Sequence, residues 1–239
     1  MFDFLGIESE TKPYQTIETF VKRPFIGSFV REEKCNDLAL WRTYGKEELE
    51  EAKGCSLTIN VAGFKNEIKE KINIDDVKRD EKLKAFEFYN VAYFSDGKAE
   101  YSGALPNDKF SLNNTLDSLK RLLQKEKDLT KIIFKDLIEL LNEIAFLFKS
   151  SEYSFENEVR MVVDSLSELD IKIDYDNLKI PYIKPRRVYV DLIPITNIID
   201  KIVLGPKVEK SEEWAATFSY DLLNKGKVTN VIISKLPFK

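Results

Sequence analysis

The sequence predicts an α+β fold of largely antiparallel sheets with a central helical hairpin. Short alternating or β-branched runs recur at residues 24–30, 54–61, 86–94, 153–163, 171–175, 187–192, 201–205 and 230–234. One long stretch, residues 116–148, instead carries leucine and isoleucine at three- and four-residue steps, the period of a helix. The tally of about eight strands and five or six helices fits an α+β domain. A length of 239 residues is enough for one large core, and the chain reads as a single domain over residues 1–239.

Taken in order, residues 1–23 hold Phe2, Phe4, Leu5 and Ile7, which suggest the end of a helix, and Lys12-Pro13, which marks a break. Residues 24–30 form a short buried strand, in which Gly27 permits close approach of another group. Asn36-Asp37 offers an N-cap to the helix that carries Leu38, Trp41 and Tyr44, and Gly45 fits its C-terminus. Residues 54–61 are a second strand, and residues 64–84 are charged and weakly helical. Residues 86–94, rich in aromatics, are a strand ended by the turn signal Asp96-Gly97. Gly103, Pro106 and Asn113-Asn114 make residues 97–114 the best candidate for a mobile connection. Leu116, Leu119, Leu122 and Leu123 begin the helical stripe, and Ile133, Leu137, Leu140, Leu141, Ile144 and Phe148 continue it. Asp128 or Thr130 would cap a second helix, hence a hairpin or a kinked pair. After the strands at 171–175, 187–192 and 201–205, residues 207–224 read as a helix with Trp214, Phe218 and Leu222 at i,i+4 steps, ended by Gly226.

Composition removes several chemistries. There is no histidine, which excludes Ser–His and Cys–His nucleophile pairs and His-ligated zinc. Two cysteines, Cys35 and Cys55, are too few for a four-thiolate metal site; two reduced thiols in a cytoplasmic protein are the expectation. A net charge of −4 gives no global case for nucleic-acid binding. No apolar run is long enough to cross a membrane, and no signal-peptide pattern is present. Chemistry must then run on carboxylates, Arg, Lys, Tyr, Ser or a bound ion.

Residues 153–163 organise the rest. If extended, they point Phe155, Val159, Met161 and Val163 to one face and Glu156, Glu158 and Arg160 to the other. Two carboxylates and a guanidinium on one strand face make a compact polar array. The plainer alternative is a half-exposed strand with a Glu–Arg surface pair. Trp41 and Tyr44 are candidates to stack on a ring and Arg42 to bind phosphate, against the alternatives of a core tryptophan and a solvated arginine.

Several phrases together resemble one bacterial family, the domain-of-unknown-function 2971 family. They are Gly27-Ser-Phe-Val30, the Trp-x-x-Tyr-Gly phrase at Trp41, Tyr44 and Gly45, Gly54-Cys-Ser-Leu57, the Glu-x-Glu-x-Arg phrase at Glu156, Glu158 and Arg160, Lys201-Ile-Val-Leu-Gly-Pro206, and Ile233-Ser-Lys-Leu-Pro-Phe238. Family members are often attached to tetratricopeptide repeats, so the resemblance implies upstream repeats or a protein acceptor as partners. It also implies a module that lacks its family's first strand and Asn-Asp-Pro segment.

The layout is more loosely similar to that of ADP-ribosyltransferases, which split NAD between nicotinamide and ribose. That similarity implies NAD as substrate, Glu158 and Glu156 as catalytic carboxylates, and Ser28 as the strand serine, with Val30 where a second serine would stand. Trp41, Arg42, Tyr44 and Arg160 would then bind the dinucleotide, and no metal is called for. Arg31 and Arg42 are the substitutes for the family's first-strand arginine. Two other classes stand beside this one. A non-enzymatic interaction module of a larger repeat protein needs only a structural Glu158–Arg160 pair. A metal-dependent nuclease would use Glu158 with Arg160 in place of a lysine, a poor base because guanidinium stays protonated.

Overall fold

Alternation in the first strand already separates two surfaces: Ile26, Ser28 and Val30 are exposed, while Phe25, Gly27 and Phe29 are half-buried. In the computed structural model, the described residues are 5, 24–47, 49–72, 86–95, 97–101, 106–125, 141, 144–163, 171–176 and 184–238. Their strands are β1 (Phe25–Val30), β2 (Cys55–Ile59), β3 (Phe86–Asn90), β4 (Ala92–Ser95), β5 (Lys98–Tyr101), β6 (Phe148–Ser150), β7 (Glu158–Val163), β8 (Ile171–Asp176), β9 (Lys184–Val190), β10 (Ile199–Leu204) and β11 (Asn230–Ile233). Their α-helices are α1 (Leu38–Thr43), α2 (Val61–Ile72), α3 (Pro106–Lys125) and α4 (Ser211–Asn224). Helices and strands in antiparallel and mixed sheets make the fold α+β. Two compact units divide the chain, Met1–Phe29 with Ala85–Asp164 and Val30–Lys84 with Ser165–Lys239, so neither is continuous in sequence.

The first unit holds a sheet of order β1-β7-β3 and a sheet of order β5-β4-β6. β3 runs antiparallel to β7, with Phe88 opposite Met161 and Tyr89 opposite Arg160. Phe29 meets Phe88 edge to face at 5.6 Å, and a Cβ on Gly27 would lie 2.9 Å from Met161 Cε, so one face of this sheet is closely packed. Residues 86–94 are not one strand. At the buried Val91 the chain changes sheets: Val91 N–H donates to Glu158 O at 3.1 Å, and Ala92 N–H donates to Leu147 O at 2.9 Å. β4 then pairs parallel with β6 and antiparallel with β5 across a turn in which Gly97 takes φ 77°.

The expected mobile connection at 97–114 holds β5 and the start of α3 instead. Asn113, read as a loop marker, stands in the helix and receives Ala99 N–H while donating to Ala99 O, both at 2.8 Å. One side-chain amide thus satisfies both backbone groups of an edge-strand residue, a use that loop statistics do not anticipate. Leu116 is buried against Ala92 and Ala99, but Leu122 of the predicted stripe is exposed. The stripe also ran too far: Leu141, Ile144 and Ala145 are helical, but Phe148 opens β6. The predicted caps Asp128 and Thr130, and with them the turn of the hairpin, lie outside the described residues.

The second unit holds the sheet β11-β10-β2 and the ribbon β8-β9. β10 is parallel to β11 and antiparallel to β2. Ile199, Ile202 and Leu204 meet Leu222, Phe218 and Ala215 of α4, while Val203 meets Trp41 and Ala52. The helix at residues 207–224 is shorter than predicted, because residues 205–210 turn: Val208 N–H donates to Gly205 O, and Lys210 takes φ 51°. Asp37 caps α1 as expected, accepting Ala39 N–H at 2.9 Å and Leu40 N–H at 3.4 Å. The strand predicted over 54–61 stops at Ile59, because Asn60 accepts Gly63 N–H and α2 starts at Val61. Cys35 and Cys55 are free thiols. Among the described residues no helix is long and apolar enough to cross a membrane.

Adjacent residues of α4 test this packing. Leu222 is 3% exposed and Leu223 57%. Leu222→Ala should lower stability by about 2–5 kcal/mol, and Leu223→Ala should stay within about 0.5 kcal/mol of the parent. Urea titrations of the two variants check this, and equal losses would contradict the assigned helix face.

Candidate functional site

The site forms where β7 begins. Ser150 takes extended geometry before a 3-10 turn over Ser151–Glu156, and its hydroxyl accepts Glu152 N–H at 3.5 Å. Asn157 then adopts the left-handed region, φ 49° and ψ 46°, which an asparagine tolerates better than most residues. That single residue redirects the chain into β7. Glu156 is therefore not on the strand, as strict alternation from 156 to 160 required, but on the turn that precedes it. Phe155 is likewise exposed rather than aligned with Val159 and Met161. Six residues of 3-10 turn displace the period-two pattern, which holds only from Glu158 onward.

Glu156 and Glu158 nevertheless come together. Both are buried, at 3% and 5% exposure. Lys149 Nζ of β6 donates to Glu156 Oε2 at 2.5 Å and to Glu158 Oε2 at 3.3 Å. Arg160 grips Glu158 with two bonds, Nε to Oε1 at 2.8 Å and Nη2 to Oε2 at 3.1 Å. Its remaining Nη1 donates to Phe146 O. Ser28 Oγ, from the neighbouring strand β1, donates to Glu158 Oε1 at 2.7 Å. The Glu158 backbone is held as well, its N–H donating to Tyr93 Oη at 2.8 Å. Tyr93 and Lys149 are register partners on β4 and β6, so one strand pair supplies both groups. The Lys149 ammonium also lies 4.6 Å from the Tyr153 ring centroid.

Two carboxyl groups thus lie against one ammonium and one guanidinium. Burial pushes the Glu158 carboxyl up, but the bonds from Arg160 and Ser28 and the charges of Arg160 and Lys149 outweigh it. The net result lies below the usual carboxylate value. For Lys149, burial acts downward and is outweighed by the Glu156 bond and the charges of Glu158 and Glu156, so its ammonium is held more firmly than usual. Tyr93 is pushed up, first by burial and then by the two carboxylates, against the opposing bond from Glu158 N–H.

Of the residues singled out by sequence, Ser28, Glu156, Glu158 and Arg160 meet in the first unit. Trp41, Arg42 and Tyr44 belong to the second. Trp41 is 4% exposed, packs on Ala52 and Val203, and donates Nε1–H to Asn36 Oδ1 at 2.9 Å, the environment of a core residue. The Arg42 guanidinium lies 5.4 Å from the Phe238 ring centroid, and Tyr44 is 63% exposed. Lys149 and Tyr93 carry no motif, and sequence reasoning missed them. Lys149 stands one residue past the predicted helical stretch, and Tyr93 read as one aromatic among several.

The lowered Glu158 value has a sign. A carboxylate held below its ordinary 4.5 stabilises the fold above that pH and loses the contribution as pH falls through the lowered value. Glu158→Gln should cost on the order of 3 kcal/mol at pH 7, because Arg160 and Lys149 lose a buried charge partner. The gap to the parent should narrow on acidification below 4.5. Denaturant titrations of both proteins at neutral and acid pH measure it; a pH-independent gap would contradict the assignment.

The family described as protein of unknown function (DUF2971) matches the chain over residues 40–161, about half its length. The matched stretch includes Tyr93, Lys149, Glu156, Glu158 and Arg160, and Ser28 lies upstream of it. No curated protein and no solved structure gives a significant match. A family match of this extent, taking in the whole Glu-x-Glu-x-Arg phrase, places the chain plainly: it belongs to the DUF2971 family of proteins of unknown function.

Proposed function

We propose that the first unit is an ADP-ribosyltransferase-like domain that takes NAD as substrate, with Glu158 as its central carboxylate. One observation carries the reading: the hydrogen bond at 2.7 Å from Ser28 on β1 to Glu158 on β7. It joins the strand serine to the second glutamate of the Glu-x-Glu phrase, the pairing that the resemblance implies. In the reaction the bond between nicotinamide and ribose C1′ breaks, and nicotinamide departs neutral with the bonding electrons. An acceptor nucleophile forms the new bond to C1′ and gives up its proton. The ionised Glu158 would oppose the positive charge that develops on the ribose. Glu156 would orient the acceptor and take the proton. Arg160, bound to Glu158 and to Phe146 O, fits a role in pinning the carboxylate better than one in holding pyrophosphate. A protein acceptor or an upstream tetratricopeptide array is the partner this reading carries. The free thiols Cys35 and Cys55 suit a cytoplasmic setting.

A second reading has its own observation. Both Glu158 oxygens already receive donors, and the residue is 5% exposed. That suits a structural ion cluster in a non-enzymatic interaction module. No observation favours the nuclease. Among the described residues no group of three or more His, Cys, Asp or Glu is arranged to hold a metal ion, and the cation next to Glu158 is a guanidinium rather than a lysine base.

Nicotinamide release from NAD, with water as acceptor, separates the first two readings. The parent chain should release nicotinamide, and Glu158→Gln should slow release by at least about 10²-fold. Ser28→Ala leaves no unpaired charge, so it should lower turnover while shifting the urea midpoint little. A parent chain that neither binds NAD nor releases nicotinamide would replace the transferase reading with the interaction module.

A further inference from the structure

We propose that Lys149 is the positioning residue of this site: its ammonium bridges Glu156 and Glu158 and holds the two carboxyl groups together as one coupled pair. The functional meaning of that role rests on the transferase reading, but the geometry does not. Arg160 serves one carboxylate: both of its side-chain bonds to an acid go to Glu158. Lys149 reaches both, at 2.5 Å and 3.3 Å, which brings the two buried acids within reach of a single cation. Two carboxylates that share a site do not both stay charged near neutrality unless a cation compensates the second. The ammonium is fixed from several sides. β6 pairs with β4 through Tyr93, which holds the Glu158 N–H, and the Tyr153 ring lies against the Nζ. A lysine held this firmly in its charged form is a poor nucleophile and a poor base, so its contribution runs through the glutamates. Lys149, Arg160, Tyr93 and Tyr153 are among the charged and titratable groups near the pair, with the hydroxyl of Ser28 beside them and a further contact at Glu156.

The experiment is a ¹³C titration of the glutamate carboxyls in the parent chain, Lys149→Met and Lys149→Arg, run beside the pH profile of nicotinamide release. In Lys149→Met the upper apparent pKa of the pair should rise by about 1–3 units. The acid limb of the release profile should move the same way, and Lys149→Arg should restore both. Should Lys149→Met fail to fold, the parent alone decides: the ¹⁵N resonance of the Lys149 ammonium should shift through the same pH range as the carboxyl pair. An unmoved carboxyl titration in folded Lys149→Met overturns the proposal, as does an ammonium resonance indifferent to the carboxyls. If the titration moves but no nicotinamide is released from any form, the bridging role stands and the NAD reading fails. If release is seen but the titration does not move, the NAD reading stands and the role given to Lys149 fails.

Discussion

A carboxylate taken almost wholly out of water, as Glu158 is, costs several kcal/mol unless other groups replace its hydration. Here those groups are an arginine in bidentate contact, a lysine and a serine hydroxyl. They come from β7 itself, β6 and β1, so satisfying one side chain requires three strands of the first unit to be in place. Exposed ion pairs contribute little, because water competes for both partners. Burial removes that competition and makes the geometry demanding. The same constraint reaches the backbone. Val91 N–H is satisfied by Glu158 O at the point where the chain leaves one sheet for another, and Phe146 O is satisfied by Arg160.

The proposed function draws on the same balance. A glutamate held below its ordinary pKa stays ionised across the neutral range, as a group that opposes developing positive charge must. The near-saturation of its oxygens pulls the other way, toward a fixed structural role. Ser28 is where the two demands meet. It lies on the exposed side of β1, bonds the carboxylate without adding charge, and is the partner whose loss the fold would notice least. Lys149 is different in kind, because its ammonium donates to two buried acids at once.

Much of the fold was legible wherever local chemistry decided the outcome. The Asp37 cap, the positive-φ turn at Gly97, the i,i+4 face of Leu222 and the β10 strand all follow from residue type and spacing. The polar array was legible as a set of residues but not as a geometry. Alternation put Glu156 on β7, whereas Asn157 in the left-handed region breaks the strand just before Glu158. The two acids still meet, through a lysine that no spacing rule connects to them. Asn113 misled for a related reason: its side chain serves the backbone of Ala99 fourteen residues away, a tertiary use of a residue type that marks loops. Trp41, weighed from sequence as a ring-stacking group or a core tryptophan, packs in the core of the second unit.

Glu158 is held ionised and buried by charged partners rather than merely lying beside them. A double-mutant cycle on Glu158→Gln and Arg160→Met, followed by urea unfolding at neutral pH, measures that interaction directly. The account predicts a coupling of at least about 2 kcal/mol, beyond the roughly 0.2–1 kcal/mol of exposed pairs. A coupling below about 0.5 kcal/mol would contradict it, since the two side chains would then contribute no more than a solvated pair.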